Sequence, residues 1–144
     1  MRFACMFLAA SALFIFGVAL PKAEGVQQFY DAFVAQYIKE HPDKKFAETV
    51  TKDAKCFVCH QGKNRKNRNV FGKELDALLD KKTDAKDQEK ILAAFKKVMD
   101  MHVDPKNDKS ETYADRVKAS KLPGGELDDL KKEPPAEEKK EEKK

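Results

Sequence analysis

The chain has 144 residues, 41% hydrophobic and 38% charged, which is enough for one modest core and calls for no second domain. Its 29 basic and 25 acidic residues give a formal charge of +4 with both signs mixed along the chain, so nucleic-acid binding gains no support.

Met1-Arg2 is a short positive start, followed by an apolar run from Phe3 to Leu20 that only Ser11 interrupts. Residues 1–23 read as an export signal, cut after Ala19 or Ala23, or kept as an anchor, because the run lies at the lower length limit for spanning a bilayer. The remainder is expected to be exported, periplasmic or extracytoplasmic, touching a membrane only through a retained anchor. Cleavage would remove Cys5 and leave Cys56 and Cys59 as the two cysteines of the exported chain.

Residues 24–130 read as one helical domain. In "VQQFYDAFVAQYIKEHP" the residues Val26, Phe29, Tyr30, Phe33, Val34, Tyr37 and Ile38 form one helical stripe that Pro42 ends. Asp43 is placed to cap a shorter helix carrying Phe46 and Val50, and a further turn holds the cysteines until Gly62 stops it. Asn69 then caps a helix with Phe71, Leu75, Leu78 and Leu79 on one side. The next helix is expected to open at Thr83, to turn Ile91, Leu92, Phe95, Val98 and Met99 inward, and to close at Asp104-Pro105.

Thr112 and Asp115 have the spacing of a capping box for a last short helix, which Pro123-Gly124-Gly125 stops. No segment alternates with period two, so the expected fold class is all-α, a small bundle of four to six short helices. Residues 131–144, "KKEPPAEEKKEEKK", contain only Lys, Glu, Pro and Ala and read as a disordered Lys/Glu-rich tail.

The chemistry concentrates in "KCFVCHQGKNRKNRNVFG", residues 55–72, where Cys56, Cys59 and His60 form C-x-x-C-H. A thioredoxin-like dithiol needs a βαβ surround that this pattern lacks and has no use for the histidine. A structural zinc module needs a fourth ligand, and with no second cysteine pair only His41 and His102 remain to supply it. A covalent haem c accounts for all three residues: each thiol joins a vinyl group and the imidazole becomes the proximal iron ligand. On one helical turn, residues 56, 59 and 60 stand at i, i+3 and i+4, so both sulfurs and the ring share a face.

With "CFVCHQGKNRKNRNVFG" and the later "TYADRVKASKLPGG", the chain resembles small secreted bacterial monohaem c-type cytochromes in which the haem motif is followed by a basic stretch and N-x-x-G. The resemblance spans about residues 26–125 and implies one covalent haem at the centre of the bundle. Cys56 and Cys59 would then carry thioethers and His60 would bind iron. It implies a non-enzymatic electron carrier.

The distal iron ligand is open between Met99, Met101, His102 and His41. If the helix from Thr83 runs on past Met99, His102 falls about 20° and Met99 about 80° from Ile91, both on the apolar side, with Met101 at about 280°. An unfilled distal position would instead suit a haem enzyme or sensor that binds a small gas or peroxide. Between Gln61 and Gly72 lie Lys63, Arg65, Lys66 and Arg68 with no acid, a patch suited to acidic redox partner proteins. The stripe of Phe29, Tyr30, Phe33 and Tyr37 is either helix core or cover for a haem face.

Overall fold

The computed structural model describes residues 25–135, so the expectations for the export segment 1–23 and for 136–144 of the tail lie outside it. Among the described residues the chain is helical without strands, and the all-α expectation holds. Pairing is limited to isolated antiparallel bridges between His60 and Arg68 and between His102 and Thr112. No described helix is long and apolar enough to cross a membrane.

The first helix, α1 (Gly25–Phe33), widens into a π-helical stretch over Val34–Ile38, where Lys39 N donates to Val34 O at 2.9 Å, five residues back. Pro42 follows, and the Asp43 carboxylate opens α2 (Lys44–Glu48) by accepting the Phe46 N–H. That helix loosens into a π-helical stretch at Thr49–Ala54 and then tightens into a 3-10 turn at Lys55–Val58, which leads into the cysteine motif. Further on come α3 (Val70–Asp76), α4 (Gln88–Met99), α5 (Tyr113–Lys118) and α6 (Leu127–Leu130).

The caps read from the sequence are present. Asn69 accepts from Gly72 N, and Thr112 and Asp115 close a reciprocal capping box. The α4 boundaries differ at both ends. Its cap is Asp87 rather than Thr83, because the Asp84 carboxylate accepts from Asp80 N and from the Thr83 hydroxyl and closes a separate turn. Lys90 pairs with the same carboxylate at 2.7 Å. The helix also stops at Met99, short of Asp104-Pro105, since the following residues pair with the segment before α5, Val103 N donating to Glu111 O.

The core forms where α1, α3 and α4 meet. Phe33 lies 5.8 Å from both Phe71 and Phe95, ring centre to ring centre, and Tyr113 packs on Phe71 at 5.2 Å. Each such pair contributes about 0.5–1.5 kcal/mol beyond the area it buries. The aromatic stripe of α1 divides between two surroundings. Phe33 and Tyr37 join this cluster, whereas Phe29 and Tyr30, half-buried, face the cavity described below. At the other terminus, Pro134 is buried and Glu133 bonds to the loop after the cysteine motif, so the first residues of the expected tail pack on the domain.

Candidate functional site

The cysteine motif sits on a single closed turn. Cys59 N and His60 N both donate to Cys56 O, at 3.2 and 2.9 Å, so the i, i+3 and i+4 relation expected for residues 56, 59 and 60 is met. Lys55, immediately before the turn, has φ +44, a left-handed backbone that costs a side-chain-bearing residue about 1–3 kcal/mol. Gly62, with φ +69, turns the chain away just after it.

Cys56, Cys59 and His60 all line one cavity of about 530 Å³. Its apolar wall comes from Phe29 and Tyr30 of α1 and from Leu75 and Leu79 in and after α3. Lys55, Arg65, Arg68 and Lys81 supply positive charge around it, with Asp76 as the one lining carboxylate among the described residues. Arg68 is ion-paired to Asp76 at 2.6 Å. Both cysteines are free thiols, and burial pushes the Cys59 thiol up to about 12.

His60 is buried, and its Nδ1 lies 3.2 Å from the Asn67 carbonyl. A carbonyl can only accept, so Nδ1 carries a proton, and in the neutral ring Nε2 keeps its lone pair. Burial holds this imidazole below its ordinary pKa; the Asn67 carbonyl pulls the other way, and the Arg68 and Arg65 charges reinforce the lowering. A neutral ring with Nε2 available is the form that ligates a metal.

The turn is clamped from α3. The buried Asn69 accepts the Gly72 N–H through Oδ1 while its Nδ2 donates to Phe57 O at 2.9 Å and Val58 O at 3.1 Å. Its backbone N–H donates to Cys59 O. One amide thus caps a helix and satisfies two carbonyls of the tight turn before Cys59. Gly72 lets the helix approach so closely that a Cβ there would lie 1.9 Å from Cys59 O. The last helix expected to run to Pro123-Gly124-Gly125 instead ends at Lys118, and α6 follows the glycines; Gly124 lies close to the clamp, where a Cβ would stand 2.2 Å from Asn69 Nδ2. Sequence reading found Asn69 as a cap but missed the clamp, whose signal was the pairing of N-x-x-G with a second glycine after Pro123.

The distal candidates lie elsewhere. His41 has both ring nitrogens engaged, Nδ1 accepting from Asp43 N at 3.2 Å and Nε2 donating to Val117 O at 2.9 Å. Met99 is core and shares with His41 a separate cavity of about 260 Å³. His102 is held in its bridge to Thr112, with Nδ1 on Ser110 O, and Met101 packs against the core. None of these four lines the cavity of Cys56, Cys59 and His60.

The residues around that cavity fit a haem. Two thiols and an imidazole line it together with aromatic and aliphatic side chains and with cations suited to carboxylates. The volume is within the roughly 300–1,000 Å³ usual for cofactor sites. Comparison of the chain with protein-family models, curated proteins and solved structures finds no match.

Proposed function

We propose that this chain is an exported monohaem c-type cytochrome that moves single electrons between partner proteins. The observation that carries the reading is the convergence of Cys56, Cys59 and the Nε2-available His60 on one apolar cavity. In that role Cys56 and Cys59 would hold the haem covalently, His60 would ligate its iron, and Arg65 or Lys81 would offset its carboxylates. The haem supplies one-electron iron chemistry.

The chain's own part is orientation and shielding. The turn from Cys56 to His60 presents two sulfurs and a ring in a fixed relation, and Asn69 and Gly72 keep that turn from relaxing. Phe29, Leu75 and Leu79 exclude water, which lowers the local dielectric and limits reorganisation when charge changes. Exposed Lys63, Arg65 and Lys66 on the acid-free loop beside the cavity suit an acidic partner, with association that weakens as salt rises.

A second reading has a specific observation in its favour. Because Met99, Met101, His102 and His41 lie away from the cavity, a haem there would have an iron position open to a small gas or peroxide. A zinc module has less support, since no three His, Cys, Asp or Glu side chains gather as a metal cluster among the described residues. Visible spectroscopy of the reduced, matured protein separates the two haem readings. A low-spin spectrum unmoved by carbon monoxide is expected for the carrier, and a carbon monoxide-sensitive high-spin spectrum would replace it with the gas- or peroxide-binding reading.

A further inference from the structure

The loop that brings the Asn67 carbonyl to His60 is held from the far end of the domain by one carboxylate. Glu133 accepts the Lys63 backbone N–H at 2.9 Å through Oε1 and the Asn67 side-chain N–H at 3.0 Å through Oε2. Beside it, Gly62 N donates to Leu130 O at the end of α6, at 2.8 Å. A Cβ on Gly62 would come within 2.7–2.9 Å of the Glu133 carboxylate atoms, so the two lie in close contact, and the φ of +69 at Gly62 favours glycine there. The loop from Gln61 to Gly72 has four cations and no acid of its own.

We propose that Glu133 is a positioning residue for His60. By fixing Lys63 and Asn67 together, it keeps the Asn67 carbonyl on His60 Nδ1, where it also receives the Gln61 N–H at 3.1 Å. The ring is thereby locked in one tautomer, with the proton on Nδ1, while His60 lines the cavity. An imidazole whose Nδ1–H is held by a carbonyl is a stronger donor at Nε2. The consequence at iron rests on the proposed haem function, while the hold on the ring does not.

The test uses the full-length matured chain with 15N-labelled histidine. Wild type is expected to show His60 as a single tautomer with a slowly exchanging Nδ1 proton. Glu133→Ala loses two charge-assisted hydrogen bonds, and the exchange is expected to rise about tenfold. Glu133→Gln keeps an acceptor oxygen for one of the two donors, and its exchange is expected to rise about threefold, between wild type and Glu133→Ala. On the haem-loaded chain the reduction potential should rise in Glu133→Ala and rise less in Glu133→Gln, because the axial imidazole donates less strongly.

A merely structural strap would behave differently. If Glu133→Ala lowers the melting temperature but leaves both the His60 exchange within about twofold and the potential unchanged, the proposal is overturned. Should Glu133→Ala fail to fold, Glu133→Gln decides: wild-type exchange together with wild-type potential overturns it, and intermediate exchange supports it. If the chain proves colourless, the exchange measurement still decides the role of Glu133, and only the haem reading falls.

Discussion

Replacing Gly72 with alanine is expected to destabilise the domain by about 3 kcal/mol or more and to abolish stable presentation of the cysteine turn. Two effects oppose each other at this position. Gly72 lies inside α3, where alanine is favoured over glycine by roughly 0.8–1 kcal/mol of helix propensity. Against that, the new Cβ would stand 1.9 Å from Cys59 O and 2.9 Å from the Cys59 carbonyl carbon, both backbone atoms that cannot swing aside. The helix must shift as a body, and the Asn69 bonds that tie it to the turn must stretch with it. Chemical denaturation of Gly72→Ala against wild type measures the loss. Neutral or increased stability would show that the helix and the turn are not in the close contact described.

Asn69→Ala carries the second large effect, about 3 kcal/mol. Loss of the cap accounts for about 1 kcal/mol of it. The rest comes from leaving the Phe57 and Val58 carbonyls without the buried amide that serves them. Asn69→Asp is the sharper comparison. Aspartate is as good a cap as asparagine, so if capping were the whole role this variant would be nearly silent. Here it would replace an N–H donor with an anion facing two carbonyl oxygens, and it is expected to cost at least as much as alanine. A silent Asn69→Asp in a denaturation series would reduce the clamp to an ordinary helix cap.

Legibility in the sequence followed the range of the interaction. Caps at Asp43, Asn69 and Thr112 are local, each closing on a backbone group three residues on, and the residue types announce them. The apolar stripes of α1 and α4 could be read for the same reason, with their period as the signal, except that Leu92 is exposed and Ala94 is buried in its place. The α4 ends could not. The start depends on Asp84 closing its own turn, and the end on Val103 pairing with Glu111.

The misplaced end carried the distal-ligand reasoning with it. Angles for His102 and Met101 hold only if the helix continues, and it stops at Met99. The motif Cys56, Cys59 and His60 was visible from its spacing, and all three residues line one cavity. The support around it was hidden, since Gly72 answers to Cys59, Gly124 to Asn69, and Glu133 to Lys63 and Asn67 across 70 and 66 positions. Glu133 also sits in a stretch whose composition reads as tail. Only the acid-free cationic loop hinted that a carboxylate must come from elsewhere.

The central claim, that a haem is fixed to Cys56 and Cys59 with His60 on its iron, is tested most directly by intact-protein mass spectrometry. The full chain would be matured with a cytochrome c assembly system, denatured and extracted with acidified organic solvent, beside a Cys56→Ala, Cys59→Ala double variant. The wild-type polypeptide is predicted to keep the mass of one haem through extraction, and the double variant to lose it entirely. A wild-type chain that is colourless and weighs no more than its amino acids would contradict the account.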